Sequence, residues 1–570
     1  MKTFGVEHMH DLIIENALVV DGTGAPGFPA DVAVTDGVIR GVGRHLGEAR
    51  ERIDAGGLTL APGIIDNHTH YDAQITWDPH LTPSPALGVT TAILGNCGFT
   101  LAPCRPGDRD LTMRNLTHVE GMALEALQSG VRWEFETFPE YLSFLERRGV
   151  GVNVATFVGH SSIRTWALQQ DAARRPATED EIAAMRKVVV DAMKAGAVGF
   201  STTTSRQHNG ENGIPMPSRL ADDNEMAALT GALREADHGV LMVTKDAQQP
   251  VTKFEQWASA AGRPFVIAAL LHSNVTPESV FEDLDAMAQA RSRGTMLRGA
   301  MSPCPLTMEF TLKSPYVFEG LQAWKPAMQA KDDAAYRALL ASAAFRDSLN
   351  DELAQPVRRL FNGEWDRVTV LKVHDPRNAK YEGMTVAQAA AAAGKRAFDW
   401  LLDLGLSENL ETYFIATLLN SDEQAVGRLL RDPNALISLS DAGAHLEFFC
   451  DAGFALHVLG HWVRELGVLT VEQAIHRMTD EPARLFGLKG RGRIAEGASA
   501  DLFLFDPATV GRGPARRVSD LPAGASRLVT PGRGVLGVWV NGARVADEHG
   551  MLASAPLAGR VLREFELSRG

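Results

Sequence analysis

"APGIIDNHTHYDAQ", residues 61–74, ends an apolar run on two histidines one residue apart. Side chains at i and i+2 of a strand point to the same side. A strand here therefore aims the imidazoles of His68 and His70 at one point beyond its end. A metal ion at that point gives the pattern a chemical reason. A parallel barrel gives it a structural one, because barrel enzymes place their chemistry at the C-terminal ends of the strands. The remaining ligands should then close other strands of the same chain.

Working outward, apolar runs alternate with helical patterns. The strand candidates are Gly63–Asp66, Thr90–Leu94, Gly151–Val158, Ala197–Ser201, Val240–Val243, Phe265–Leu271, Gly294–Ala300 and Ala435–Leu439. Amphipathic stretches such as "EDEIAAMRKVVVDAMKAG" lie between them. Eight strands joined by helices predict an α/β fold, a (β/α)8 TIM-like barrel over residues 62–494. The gap at about 301–434 is too long for one crossover and reads as an insertion, largely helical, before the last strand. Both ends of the chain are β-rich, with turn signals at Asp21-Gly22, Asp36-Gly37 and Asn541-Gly542. They predict one small β-sandwich side domain built from residues 1–61 and 495–570.

The 570 residues are 45% hydrophobic, enough for a large core, and their net charge of −14 argues against a nucleic-acid or anionic membrane surface as partner. The four cysteines, Cys97, Cys104, Cys304 and Cys450, are too few for a disulfide framework and suit a reducing compartment. The N-terminal stretch lacks a signal-peptide pattern and no apolar run is long enough to span a bilayer. The expectation is a cytoplasmic protein, with a homo-oligomer left open.

Other metal-competent residues end other strands in order. Cys97 follows the second, Lys245 the fifth, His272 the sixth and Asp441 the eighth. Imidazole, thiolate and carboxylate are the usual ligands of zinc-like ions. Singly, each has an ordinary reading: a buried thiol, a strand-end histidine, a turn aspartate, a solvated lysine. It is their joint placement that points to a functional metal site. His160 and Arg164 after the third strand, Arg206 and His208 after the fourth, and His445 after the eighth are candidates for binding substrate. A structural polar cluster is the alternative for the first two. Tyr71, Trp77, Phe448 and Phe449 either line an acyl pocket or pack in the core.

These motifs resemble the amidohydrolase superfamily, and within it the N-acyl-D-amino-acid deacylase branch. "PGIIDNHTHYD", "GVTTAILGNCGFTLAP", "NVATFVGHSSIR", "GFSTTTS" and "SDAGAH" follow in the order of that family, and the likeness covers nearly the whole chain. The resemblance implies hydrolysis of the amide of an N-acyl compound by metal-activated water. His68, His70, Cys97 and His272 would be ligands of one or two zinc ions, and Asp441 the catalytic acid/base. A hydrolase of cyclic amides, lactones or carbamates is the alternative, and a barrel scaffold without catalysis a third.

Three departures from the family pattern stand out. Lys245 replaces a histidine; it either carries CO2 as a carbamate bridging two metals, lies beside a one-metal site, or acts from outside the ligand set. His272-Ser273-Asn274 replaces His-Leu-Lys, and "AHLEFFCDAGF" replaces a His-Pro-Arg segment. The lost cations weaken the case for a free N-acyl-D-amino acid, whose carboxylate would want them, and leave a small-molecule amide as the expected substrate class.

Overall fold

The computed structural model describes residues 9–357, 359–446 and 451–566. Phe448, Phe449 and Cys450 lie outside them. An eight-stranded parallel sheet runs in sequence order: β1 (Ile64–Asp66), β2 (Val89–Leu94), β3 (Asn153–Gly159), β4 (Gly199–Thr203), β5 (Val240–Thr244), β6 (Phe265–Leu270), β7 (Leu297–Met301) and β8 (Ala435–Ile437). All eight overlap the strands expected from the sequence. β2 and β3 are buried along their whole length, as strands covered on both faces must be. Helices fill the connections. Helix Glu179–Ala195 starts on a capping box between Thr178 and Glu181 and stops at Gly196, whose φ is 100°.

The ring closes between β1 and β8 through a seam unlike the other strand pairs. Thr69 forms a single parallel bridge to Ala442, and the His70 N–H donates to the Ala442 carbonyl at 2.8 Å. Asn67 Nδ2 donates to the Ile437 carbonyl at 2.9 Å and Ser440 Oγ to Asp66 Oδ1 at 2.8 Å. Gly443 belongs to this seam. Its φ is +91°, and a Cβ there would meet the His70 carbonyl oxygen at 2.8 Å. The residues that shut the barrel are thus neighbours of the residues expected to carry the chemistry.

The two ends of the chain share a nine-stranded sheet, in which strand Thr59–Pro62 pairs with both His10–Val19 and Leu502–Phe505. Its core includes Leu12, Ile14, Val32, Leu60, Leu502 and Trp539. The last described residues leave that sheet and return to the barrel, where Val154 N donates to the Arg560 carbonyl at 2.9 Å.

The insertion contains helices, as expected, and also a three-stranded antiparallel sheet of Leu306–Phe310, Val368–Lys372 and Tyr413–Leu419. An aromatic cluster around Phe318 holds helices to sheet, with Phe310, Trp324, Phe361 and Phe398 within 5.4 Å of its ring centre. No helix among the described residues is long and apolar enough to cross a membrane.

Candidate metal centre

Thr69, between the two histidines, faces away from them; its hydroxyl donates to the Ile93 carbonyl at 2.8 Å on β2. The alternation puts His68 and His70 on one side, with ring centres 5.3 Å apart. After β2 the chain turns sharply: Gly95, Cys97 and Gly98 all have positive φ, 58° at Cys97. A Cβ on Gly95 would meet the Phe157 carbonyl at 2.7 Å, so the turn needs glycine there. Asn96 ties it to the histidine segment by donating to the Thr69 carbonyl at 3.3 Å. Cys97 Sγ then lies 3.6 Å from His68 Nε2, 3.8 Å from His70 Nε2 and 3.0 Å from the Thr244 hydroxyl.

The ligand atoms of His68, His70 and Cys97 lie within 4.8 Å of one another, all three side chains buried. Asp441 faces them across the seam. Its Oδ1 is 3.1 Å from His68 Nε2 and 3.6 Å from His70 Nε2. Asp441 holds φ +46°, a conformation few residues adopt, in support of that placement. Burial pushes its carboxyl up, but the two imidazoles outweigh this and hold it well below the usual range. Burial likewise opposes ionisation of the Cys97 thiol, and the same imidazoles overcome it and lower its pKa. Burial disfavours the His68 imidazolium, yet Cys97 and Asp441 raise its pKa to about 9. Two imidazoles, a thiol tending to thiolate and a carboxylate at one point fit the preferences of Zn2+.

Glu120 is a participant the sequence did not reveal. It ends the helix Arg109–Glu120, is buried, and places Oε1 3.0 Å from His70 Nδ1. The contact is an ion-pair distance without hydrogen-bond alignment, and a negative charge beside Nδ1 favours the proton on that nitrogen, leaving Nε2 for the cluster. Glu120→Gln is expected to weaken zinc binding about 10- to 100-fold, measured by competition with a chromophoric chelator; an unaltered Kd would remove Glu120 from the site.

The cluster opens into a cavity of about 730 Å³ walled by barrel loops and by the insertion, including Leu306, Met308 and Tyr316. Arg206, His208, His445 and Lys245 line it. His208 meets the Thr203 hydroxyl at 2.8 Å and packs edge-on to Phe99. Burial, then the neighbouring His445, lowers its pKa to about 3, so it is a neutral imidazole. Burial also lowers the pKa of His445, which packs beside Tyr316 with ring centres 5.4 Å apart.

Three other residues expected at the site have contacts of their own. His272 is buried at the end of β6, its N–H donating to Asn420 Oδ1 at 2.7 Å, and it is not among the three clustered ligands. Lys245 Nζ pairs with Asp283 at 2.9 Å and reaches the Gln249 carbonyl at 3.3 Å. These contacts turn its end toward Asp283 and the loop after β5. Tyr71 is a core residue whose hydroxyl meets Ser84 Oγ at 2.6 Å.

His160 and Arg164 are not among the residues lining the cavity, which favours the alternative of a structural polar cluster. Both are fully buried against Glu225: His160 Nε2 is 2.7 Å from Oε1, and Arg164 pairs with Oε2. Burial keeps His160 neutral. The tautomer that satisfies both ring nitrogens donates to Glu225 and accepts from the Thr202 hydroxyl at 2.8 Å. Such a closed network has the partners of a structural cluster. Thr202→Val is expected to cost about 1–2 kcal/mol in urea unfolding without lowering kcat/KM; a catalytic loss at undiminished stability would reverse the assignment.

Known proteins place this geometry in context. The amidohydrolase family model matches residues 51–546. The D-aminoacylase of Alcaligenes xylosoxydans xylosoxydans is 30% identical over 564 residues, covering 97% of each chain. A D-aminoacylase solved to study its binuclear metal centre superposes with TM-score 0.67 at 27% identity, over 97% of this chain and all of that one. The N-acyl-D-glutamate deacylase of Bordetella bronchiseptica, solved with zinc and a phosphonate mimic of the tetrahedral intermediate, gives 0.65 at 25% identity, over 98% of this chain and all of that one.

Proposed function

The chain belongs to the amidohydrolase family, and from that premise we propose that it is a zinc-dependent deacylase that hydrolyses the amide bond of an N-acyl-D-amino acid. The products are a carboxylic acid and an amine. The observation that carries this reading is the meeting of His68, His70 and Cys97 within 4.8 Å, facing Asp441, at a cavity large enough for an acylated amino acid.

His68, His70 and Cys97 would hold zinc, with Asp441 in reach of the same point; a second ion, as in a binuclear centre, needs donors beyond these. Zinc bound there supplies a Lewis acid for the carbonyl oxygen and a water whose pKa falls toward about 7. Asp441 is ionised at neutral pH and can accept the proton of the attacking water. It then returns that proton to the departing nitrogen, which is a poor leaving group until protonated. The Glu120 charge beside His70 Nδ1 favours the tautomer that leaves Nε2 for the metal. The apolar wall of Phe99, Leu306 and Met308 gives the acyl chain a dry surface, while the neutral rings of His208 and His445 offer hydrogen bonds without adding charge.

The test is a substrate panel on zinc-loaded protein: N-acyl-D- and N-acyl-L-amino acids, aryl amides, cyclic imides and lactones. Release of a free D-amino acid is the expected result, abolished by a chelator and restored by Zn2+. Turnover confined to cyclic imides or lactones would overturn the reading, as would activity indifferent to metal.

A further inference from the structure

We propose that the Arg206 guanidinium binds the carboxylate of the substrate's amino-acid half and so makes the enzyme selective for N-acyl amino acids as free acids. The inference rests on the deacylase reading above. Among the described residues, five carboxylate side chains line the cavity: Glu120, Asp246, Asp351, Glu352 and Asp441. An anionic substrate entering such a wall needs a cation that is not already spent.

Among the described residues, three lysine or arginine side chains line the cavity. Lys245 is committed, its side chain 3% exposed and paired with Asp283 at 2.9 Å. Arg359 is committed as well, donating Nη1 to the Gln355 and Val357 carbonyls at 3.1 and 2.9 Å, with Nε 3.5 Å from Glu352. Arg206 differs from both. Its side chain is 55% exposed, and its single ionic contact among the described residues is Nε to Asp246 at 3.5 Å, beyond a good hydrogen bond. The Asp246 carboxylate already accepts from the backbone N–H groups of Arg206 and Gln248. Both terminal nitrogens of Arg206 are left for a planar, two-point grip on a carboxylate.

The backbone carrying Arg206 is pinned on both sides. Ser205 N donates to the Thr203 hydroxyl at 3.1 Å, and Gln207 Nε2 donates to the Tyr316 carbonyl at 2.9 Å. The loop therefore spans from β4 to the insertion across the cavity that holds the metal cluster. A fixed backbone under a free guanidinium is the arrangement that binds an anion with little loss of chain entropy.

The test uses zinc-loaded full-length protein, the N-acetyl-D-amino acid it cleaves fastest, and the primary carboxamide of that compound. Wild type is expected to favour the acid. Arg206→Gln should lower kcat/KM for the acid about 30-fold, chiefly through KM, and collapse the acid-to-carboxamide ratio. Arg206→Lys should recover part of the ratio, a rescue that a purely structural role would not give. The proposal is overturned if wild type shows no preference for the acid, or if Arg206→Gln leaves the ratio intact or slows both substrates equally. Failure of zinc-loaded wild type to cleave any N-acyl amino acid would instead bring down the deacylase reading and this inference together.

Discussion

Asp441→Asn is expected to lower kcat about a thousandfold while leaving zinc binding in place. Asparagine has nearly the shape of aspartate and can still meet an imidazole, but it can neither accept a proton from water nor carry one to nitrogen. The native carboxylate is ionised because His68 and His70 outweigh the cost of its burial. Removing its charge therefore removes the base at the moment it is needed. The check is single-turnover and steady-state kinetics beside metal analysis of the same sample. A kcat within about tenfold of wild type would shift proton transfer to another group of the cavity.

Cys97→Ala is expected to weaken zinc binding about a hundred- to a thousandfold. Zinc held by four protein ligands is worth about 10–16 kcal/mol, so one ligand accounts for roughly 3–4 kcal/mol. The loss should exceed that of Glu120→Gln, because Glu120 only orients His70 whereas Cys97 supplies a donor atom. Turnover measured at limiting zinc should fall with occupancy and recover at high zinc. Unchanged affinity would mean that the cluster around Sγ is a hydrogen-bonded core and not a metal site. Thr244, whose hydroxyl is 3.0 Å from Sγ, would lose a contact in the same variant, so its folding is checked by circular dichroism.

The barrel and the centre of the site were legible because both obey local rules. Strand periodicity alone pairs His68 with His70, and the eight buried runs fall in the order in which the strands assemble. What could not be read depends on partners far off in the chain. His160 and Arg164 follow a barrel strand like true site residues, but Glu225, more than sixty positions later, absorbs both. Lys245 meets Asp283 on a helix beyond the next strand, and nothing near Lys245 announces it. Glu120 ends a helix in a connection whose length hides which residue returns to the cluster. In the insertion, "VTVLK" and "YFIATLL" are ordinary strand sequences, but their pairing partner at residues 306–310 is fixed only by the folded aromatic core.

The seam between β1 and β8 has a consequence for biogenesis. Asn67 reaches Ile437 across 370 residues, so this contact closes nearly the longest loop the barrel contains. Local strand–helix units can associate long before so distant a contact is made. Asp441 meets the histidines only once the two edges have joined, so the cluster is completed by the same long-range contact that shuts the barrel.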